Sequence, residues 1–102
     1  MFSSGTIYSN FTPLVKSPVI GYRISGSDVL DILKKLTQRN FSKDHSVIKV
    51  LELYNNDGQI LDKCSVVYFK SPKSFTGEDV CEIFLHGSPL IASQLEQTLK
   101  DF

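Results

Sequence analysis

Glu82 and His86 are the residues on this chain whose type and setting suggest chemistry. They lie on the run Val80-Cys-Glu-Ile-Phe-Leu-His86. The run alternates, and successive side chains of a strand point to opposite faces. Cys81, Ile83 and Leu85 therefore form a wholly apolar face. Val80, Glu82, Phe84 and His86 form the other, which sets a carboxylate and an imidazole beside two apolar groups. An acid–base pair would need the two within hydrogen-bond reach. Four positions along a strand separate them by about 13 Å, so they do not act as a dyad. A histidine with a structural partner is the expectation for His86, and a solvated one for His45.

Other patterns carry less. Thr76-Gly-Glu-Asp79 has the form of a helix capping box, but a strand-like run follows it, so a turn is expected. Gly87-Ser88-Pro89 opens a helix whose first amides suit an anion, as those of any helix do. There is no phosphate-binding glycine loop, no nucleophile elbow and no cysteine–histidine cluster. Cys64 and Cys81 both lie in apolar runs, and two reduced core thiols are expected.

The elements that must position Glu82 follow from the hydrophobic pattern. Residues 6–11 and 19–24 read as strands, with a proline-containing loop over 12–18. Ser27 is the expected N-cap of a helix over 28–38, because Val29, Ile32, Leu33 and Leu36 recur at helical spacing. Residues 47–54 and 59–70 read as strands joined by Asn55-Asn-Asp-Gly58, residue types that tolerate the positive φ of a hairpin turn. After the strand 80–86, Ser88 and Pro89 mark the start of a last helix. Its face of Ile91, Leu95, Thr98, Leu99 and Phe102 is still running at the chain end, and predicts a surface for self-association. The order β-β-α-β-β-β-α implies an α+β fold, a mixed, largely antiparallel sheet with two helices on one face.

Composition bounds the partners. The chain has 102 residues, enough for one domain over 1–102, and 41% of them are hydrophobic, which argues against disorder. Eleven basic residues balance eleven acidic ones. No single-sign field is available to hold a nucleic-acid backbone, so this chain alone is not expected to bind RNA. No run approaches the ~18 apolar residues of a membrane helix, and no secretory pattern opens the chain.

Three segments together resemble a known family. Ser74-Phe-Thr-Gly-Glu-Asp-Val-Cys-Glu-Ile-Phe-Leu-His-Gly87 resembles the signature of the N-terminal domain of tRNA modification GTPases of the MnmE (TrmE) type. Arg23-Ile-Ser-Gly26 matches its second signature, and Thr6-Ile7 with Thr12-Pro13 is similar to its opening. The resemblance covers essentially the whole chain.

The resemblance implies a fold like the folate-binding domain of MnmE and of the glycine cleavage T-protein. It implies a homodimer that binds 5-formyl-tetrahydrofolate, with Arg23 and Glu82 as cofactor-binding residues. It implies a longer parent protein, cytoplasmic or, in a eukaryote, mitochondrial, that acts with an MnmG-like flavoprotein on the wobble uridine of tRNA. GTP, magnesium and potassium would belong to that parent's GTPase domain. On this reading the chain is an incomplete N-terminal domain that stops before the family's next motif and hydrolyses no GTP itself. The chain departs from the family in having no glycine over residues 14–20. A rival expectation follows from that departure: a dimerising interaction module that no longer binds folate.

Overall fold

The computed structural model describes residues 6–11, 19–39, 47–70 and 78–102. Over these residues the chain runs β1 (Ile7–Asn10), β2 (Val19–Ser25), α1 (Val29–Thr37), β3 (Val47–Tyr54), β4 (Ile60–Phe69), β5 (Val80–His86) and α2 (Pro89–Lys100). This is the element order that the hydrophobic pattern predicts, and the α+β class with it. The expected loop over 12–18, His45 and the turn residues Thr76 and Gly77 lie outside the described residues.

The five strands form one antiparallel sheet in the order β1-β2-β5-β4-β3. The last strand in sequence is thus the central one, flanked by β2 and β4. Both helices lie on one face. Tyr22, Ile24, Cys81, Ile83 and Leu85 from the middle of the sheet meet Val29, Leu33 and Leu36 of α1 and Leu95 and Leu99 of α2, all buried. Burial and then the nearby Asp62 carboxylate push the Cys64 thiol up to about 12, and burial raises that of Cys81 also. Both stay protonated and unreactive at neutral pH, in keeping with two reduced core thiols.

Local chemistry sets the element ends. Asn55 makes the β3–β4 hairpin: its side-chain oxygen accepts from the amides of Asp57 and Gln59, each at 2.9 Å, and Gly58 takes a φ of 80°. Ser88 caps α2, accepting from the Ile91 amide at 3.4 Å, with Pro89 in the first turn.

The start of α1 departs from expectation. Asp28, not Ser27, occupies the cap position, and its side chain makes no capping bond. The Asp28 amide instead donates to the Thr6 hydroxyl at 3.1 Å. A residue 22 positions upstream therefore satisfies the amide of the cap residue itself. Gly26 makes the turn into this helix at a φ of 143°, a conformation that a side chain rarely tolerates.

The terminal helix also corrects the sequence reading. Its apolar face is buried against the chain's own sheet, with Leu95 at 0% and Leu99 at 1% exposure, and Ile91 and Phe102 packed on the same core. Leu95 and Leu99 thus serve the chain's own core.

Candidate functional site

The site lies on the sheet face opposite the helices. Register decides which residues meet there. Arg23 stands opposite Glu82, Glu82 opposite Val67, and Arg23 opposite Ser9 on its other side. One row thus crosses four strands and has Arg23 and Glu82 at its middle. In the next row Gly21 stands opposite Phe84, and Phe84 opposite Ser65. Side chains directly opposed on one face touch.

Arg23 and Glu82 touch as an ion pair. The Arg23 Nε and Nη2 both donate to Glu82 Oε2, at 3.1 and 2.7 Å. The carboxylate side chain is only 16% exposed and the guanidinium 34%. Burying a carboxylate this far is costly unless it is paired and hydrogen-bonded. Arg23 supplies that pairing, which gives a structural reason for an acid on this strand. Both bonds go to one oxygen, however. Glu82 Oε1 accepts no hydrogen bond among the described residues.

Two aromatic rings wall the pair. Phe11, just beyond β1, lies with its ring 4.9 Å from the Arg23 guanidinium carbon and edge-on to Phe84, with ring centroids 5.8 Å apart. The Phe11 amide donates to the Gly21 carbonyl at 2.9 Å, which holds the residue over β2. The ring lies so close to Gly21 that a Cβ there would fall 2.5 Å from its Cζ. Glycine at position 21 therefore seats the ring.

A test of this seating needs no ligand. Gly21→Ala should displace the partly exposed Phe11 ring and leave the sheet intact. The loss of one edge-on ring pair and one cation–π contact predicts a destabilisation of about 1–2 kcal/mol. Ring-current shifts on the Phe84 protons and on the Arg23 Nε proton should collapse in NMR spectra. Unchanged shifts would show that the glycine does not seat Phe11.

The remaining sequence candidates separate from this cluster. Asp62 holds His86, accepting from its backbone amide at 2.9 Å and meeting its Nδ1 at 2.9 and 3.0 Å. The imidazole is thus a clasp between β4 and β5, as the structural reading of it expects, and Glu82 has a different partner. Ser25, beyond Arg23 on β2, donates to Glu78 at 3.4 Å. Phe11 and Gly21 are the members of the cluster that sequence reasoning missed. Glycine within the apolar run Val19–Ile24 was the available signal, since such a glycine marks close approach of another group.

Chemically the cluster suits binding more than catalysis. Among the described residues no nucleophile stands beside a base there, and none form a metal-holding group. The cluster offers instead a carboxylate oxygen with spare acceptor capacity, a guanidinium beside it and two aromatic rings. A flat ligand with an N–H edge meets all three.

Comparison with known proteins finds matches over most of the chain. The model of the family described as "GTP-binding protein TrmE N-terminus" matches residues 6–101. The chain is 48% identical over 93 residues to a tRNA modification GTPase MnmE of Helicobacter pylori, covering 90% of this chain and 20% of that protein. It is 40% identical over 94 residues to the protein of the same name from Rickettsia canadensis, covering 92% and 21%. A Francisella tularensis relative of the same name is 40% identical over 91 residues, covering 89% and 20%. The chain thus spans about a fifth of the length of the curated relatives it matches.

Proposed function

Since the chain belongs to the TrmE N-terminal family, we propose that it serves a tRNA modification GTPase as its folate-binding, homodimerising N-terminal domain. The ligand is 5-formyl-tetrahydrofolate, and it docks on the sheet face that carries Arg23 and Glu82. In a full-length protein the domain would act with an MnmG-like flavoprotein on the wobble uridine of tRNA, in the cytoplasm or, in a eukaryote, the mitochondrion. GTP, magnesium and potassium would be handled outside these residues. Among the described residues no helix is long and apolar enough to cross a membrane.

The observation that carries this reading is the half-satisfied carboxylate of Glu82. A pterin presents N–H donors along one flat edge, and Glu82 Oε1 is an acceptor with none among the described residues. Arg23, already bonded to Oε2, holds the carboxylate in one orientation. Its charge suits a folate carbonyl or tail carboxylate. Phe11 and Phe84 supply apolar surface for a ring.

Dimerisation draws on a different surface from the one the sequence suggests. The most exposed apolar groups on the site's own face of the sheet are Ile7 at 67%, Ile48 at 69% and Val50 at 61%. Ile48 and Val50 lie on β3, an edge strand with one side unpaired within the sheet. An exposed apolar edge favours pairing with another chain. Sedimentation at micromolar concentration should therefore give about twice the chain mass, and Ile48→Lys with Val50→Lys should shift it to the monomer. A wild-type monomer would remove the dimer from this reading. The same exposed edge favours the second reading, an interaction module without folate binding. Calorimetry separates the two: the folate-binding domain gives saturable heat with 5-formyl-tetrahydrofolate, and the module gives none.

A further inference from the structure

On the helix-bearing face, away from Arg23 and Glu82, a groove of about 430 Å³ opens between α2 and strands β1 and β2. That volume is within the usual range for small-molecule sites. Its floor is Ile20 and Tyr22, and its wall is Pro89, Ala92 and Glu96, with Asn10 and Lys100 at its margins.

Glu96 is the unusual member. It is half-buried, and its Oε2 accepts from the hydroxyl of Tyr22, a side chain only 1% exposed. Burial first, and the Glu96 bond second, raise the Tyr22 phenol far above its ordinary value, so the phenol stays the donor and Glu96 the acceptor. Lys100 follows Glu96 by four residues, the spacing and order that normally favour an ion pair along a helix. Among the described residues Lys100 makes no ion pair, and Glu96 Oε1 accepts no hydrogen bond. The buried tyrosine has drawn the carboxylate inward, over an apolar floor. A charge held there with one oxygen unsatisfied favours a donor cation that can enter beside Ile20 and Ala92.

We infer that this groove binds a small organic monocation with N–H donors, of the amine or guanidine class, through Glu96 oriented by Tyr22. The cationic head donates to Glu96 Oε1, and an alkyl tail covers Ile20 and Ala92. Lys100 at the margin disfavours a second positive charge, so a polyamine is a poorer ligand than a monocation.

The test titrates the isotope-labelled 102-residue chain with butylguanidinium, and in parallel with butylurea, its neutral isostere. Saturable amide shifts centred on Ile20, Tyr22, Ala92 and Glu96 are expected for the cation, with at least roughly tenfold weaker binding of the urea. Glu96→Gln keeps the side-chain shape and should weaken the cation by about tenfold or more. Tyr22→Phe, which removes only the orienting hydroxyl, should weaken it by a smaller factor. No saturation by about 20 mM, where even the weakest useful sites respond, overturns the inference. Equal binding of cation and urea also overturns it, and that comparison needs no variant.

Discussion

Leu33→Ala should destabilise the chain by about 2–5 kcal/mol, the usual range for emptying a fully buried leucine site. Leu33 has no exposed surface and belongs to the single core cluster, in contact range of residues from both sheet and helices. A small domain has little stability to spare, so a loss of this size removes much of the total. It should appear in urea denaturation as a lower midpoint with an unchanged slope. Gln94→Ala, on the exposed side of α2, should change stability by less than about 0.5 kcal/mol. If Leu33→Ala were as mild as Gln94→Ala, the helix layer would not be what holds the sheet, and the opposite face with its ion pair would lose its rigid support.

Glu82→Gln is the second large effect, and it acts on binding. The amide keeps the size of the carboxylate but carries one acceptor and one donor. Its oxygen can still accept from Arg23, at the position Oε2 now holds. The amide nitrogen then takes the place of Oε1 and turns N–H groups toward the N–H edge of the ligand. Losing a charged hydrogen bond of this kind costs about 1.5–3 kcal/mol, or roughly ten- to a hundredfold in affinity for 5-formyl-tetrahydrofolate. Folding should survive, because Gln fits the same half-buried strand position; circular dichroism checks that. Equal affinities for the two proteins in calorimetric titration would show that Glu82 is not the anchor.

The elements were legible because their periods are local. Alternation over Val80–His86 separates the buried Cys81, Ile83 and Leu85 from the face with Glu82, and the sheet keeps that separation. The spacing of Val29, Ile32, Leu33 and Leu36 likewise fixes the buried side of α1. The misreadings share one physical cause. A periodic pattern says which residues are covered, but not by what. The apolar side of the last helix reads as a surface awaiting a partner, yet the chain's own sheet covers it. Ser27 reads as the helix cap, yet Asp28 takes that position and its amide is held by the distant Thr6.

The candidate site was half legible for the same reason. Arg23 and Glu82 carry the family resemblance individually, as two separate ligand contacts. Their ion pair joins residues 59 positions apart and depends on the register of β2 against β5, which no local pattern encodes. Phe11 and Gly21 are further removed still. Their contact depends on the pairing of β1 with β2 running on to Phe11 beside Gly21, and only the glycine in an apolar run hinted at it.

The most direct measurement is an amide-shift map of the labelled chain as 5-formyl-tetrahydrofolate is added. Saturable changes should centre on Gly21, Arg23, Glu82 and Phe84, on the sheet face opposite the helices, with the side-chain Nε proton of Arg23 shifting as Glu82 Oε1 gains a donor. Residues of α2 across the sheet should stay still. A map that saturates on α2, or no change at about millimolar folate, would contradict the assignment of folate binding to the Arg23–Glu82 face.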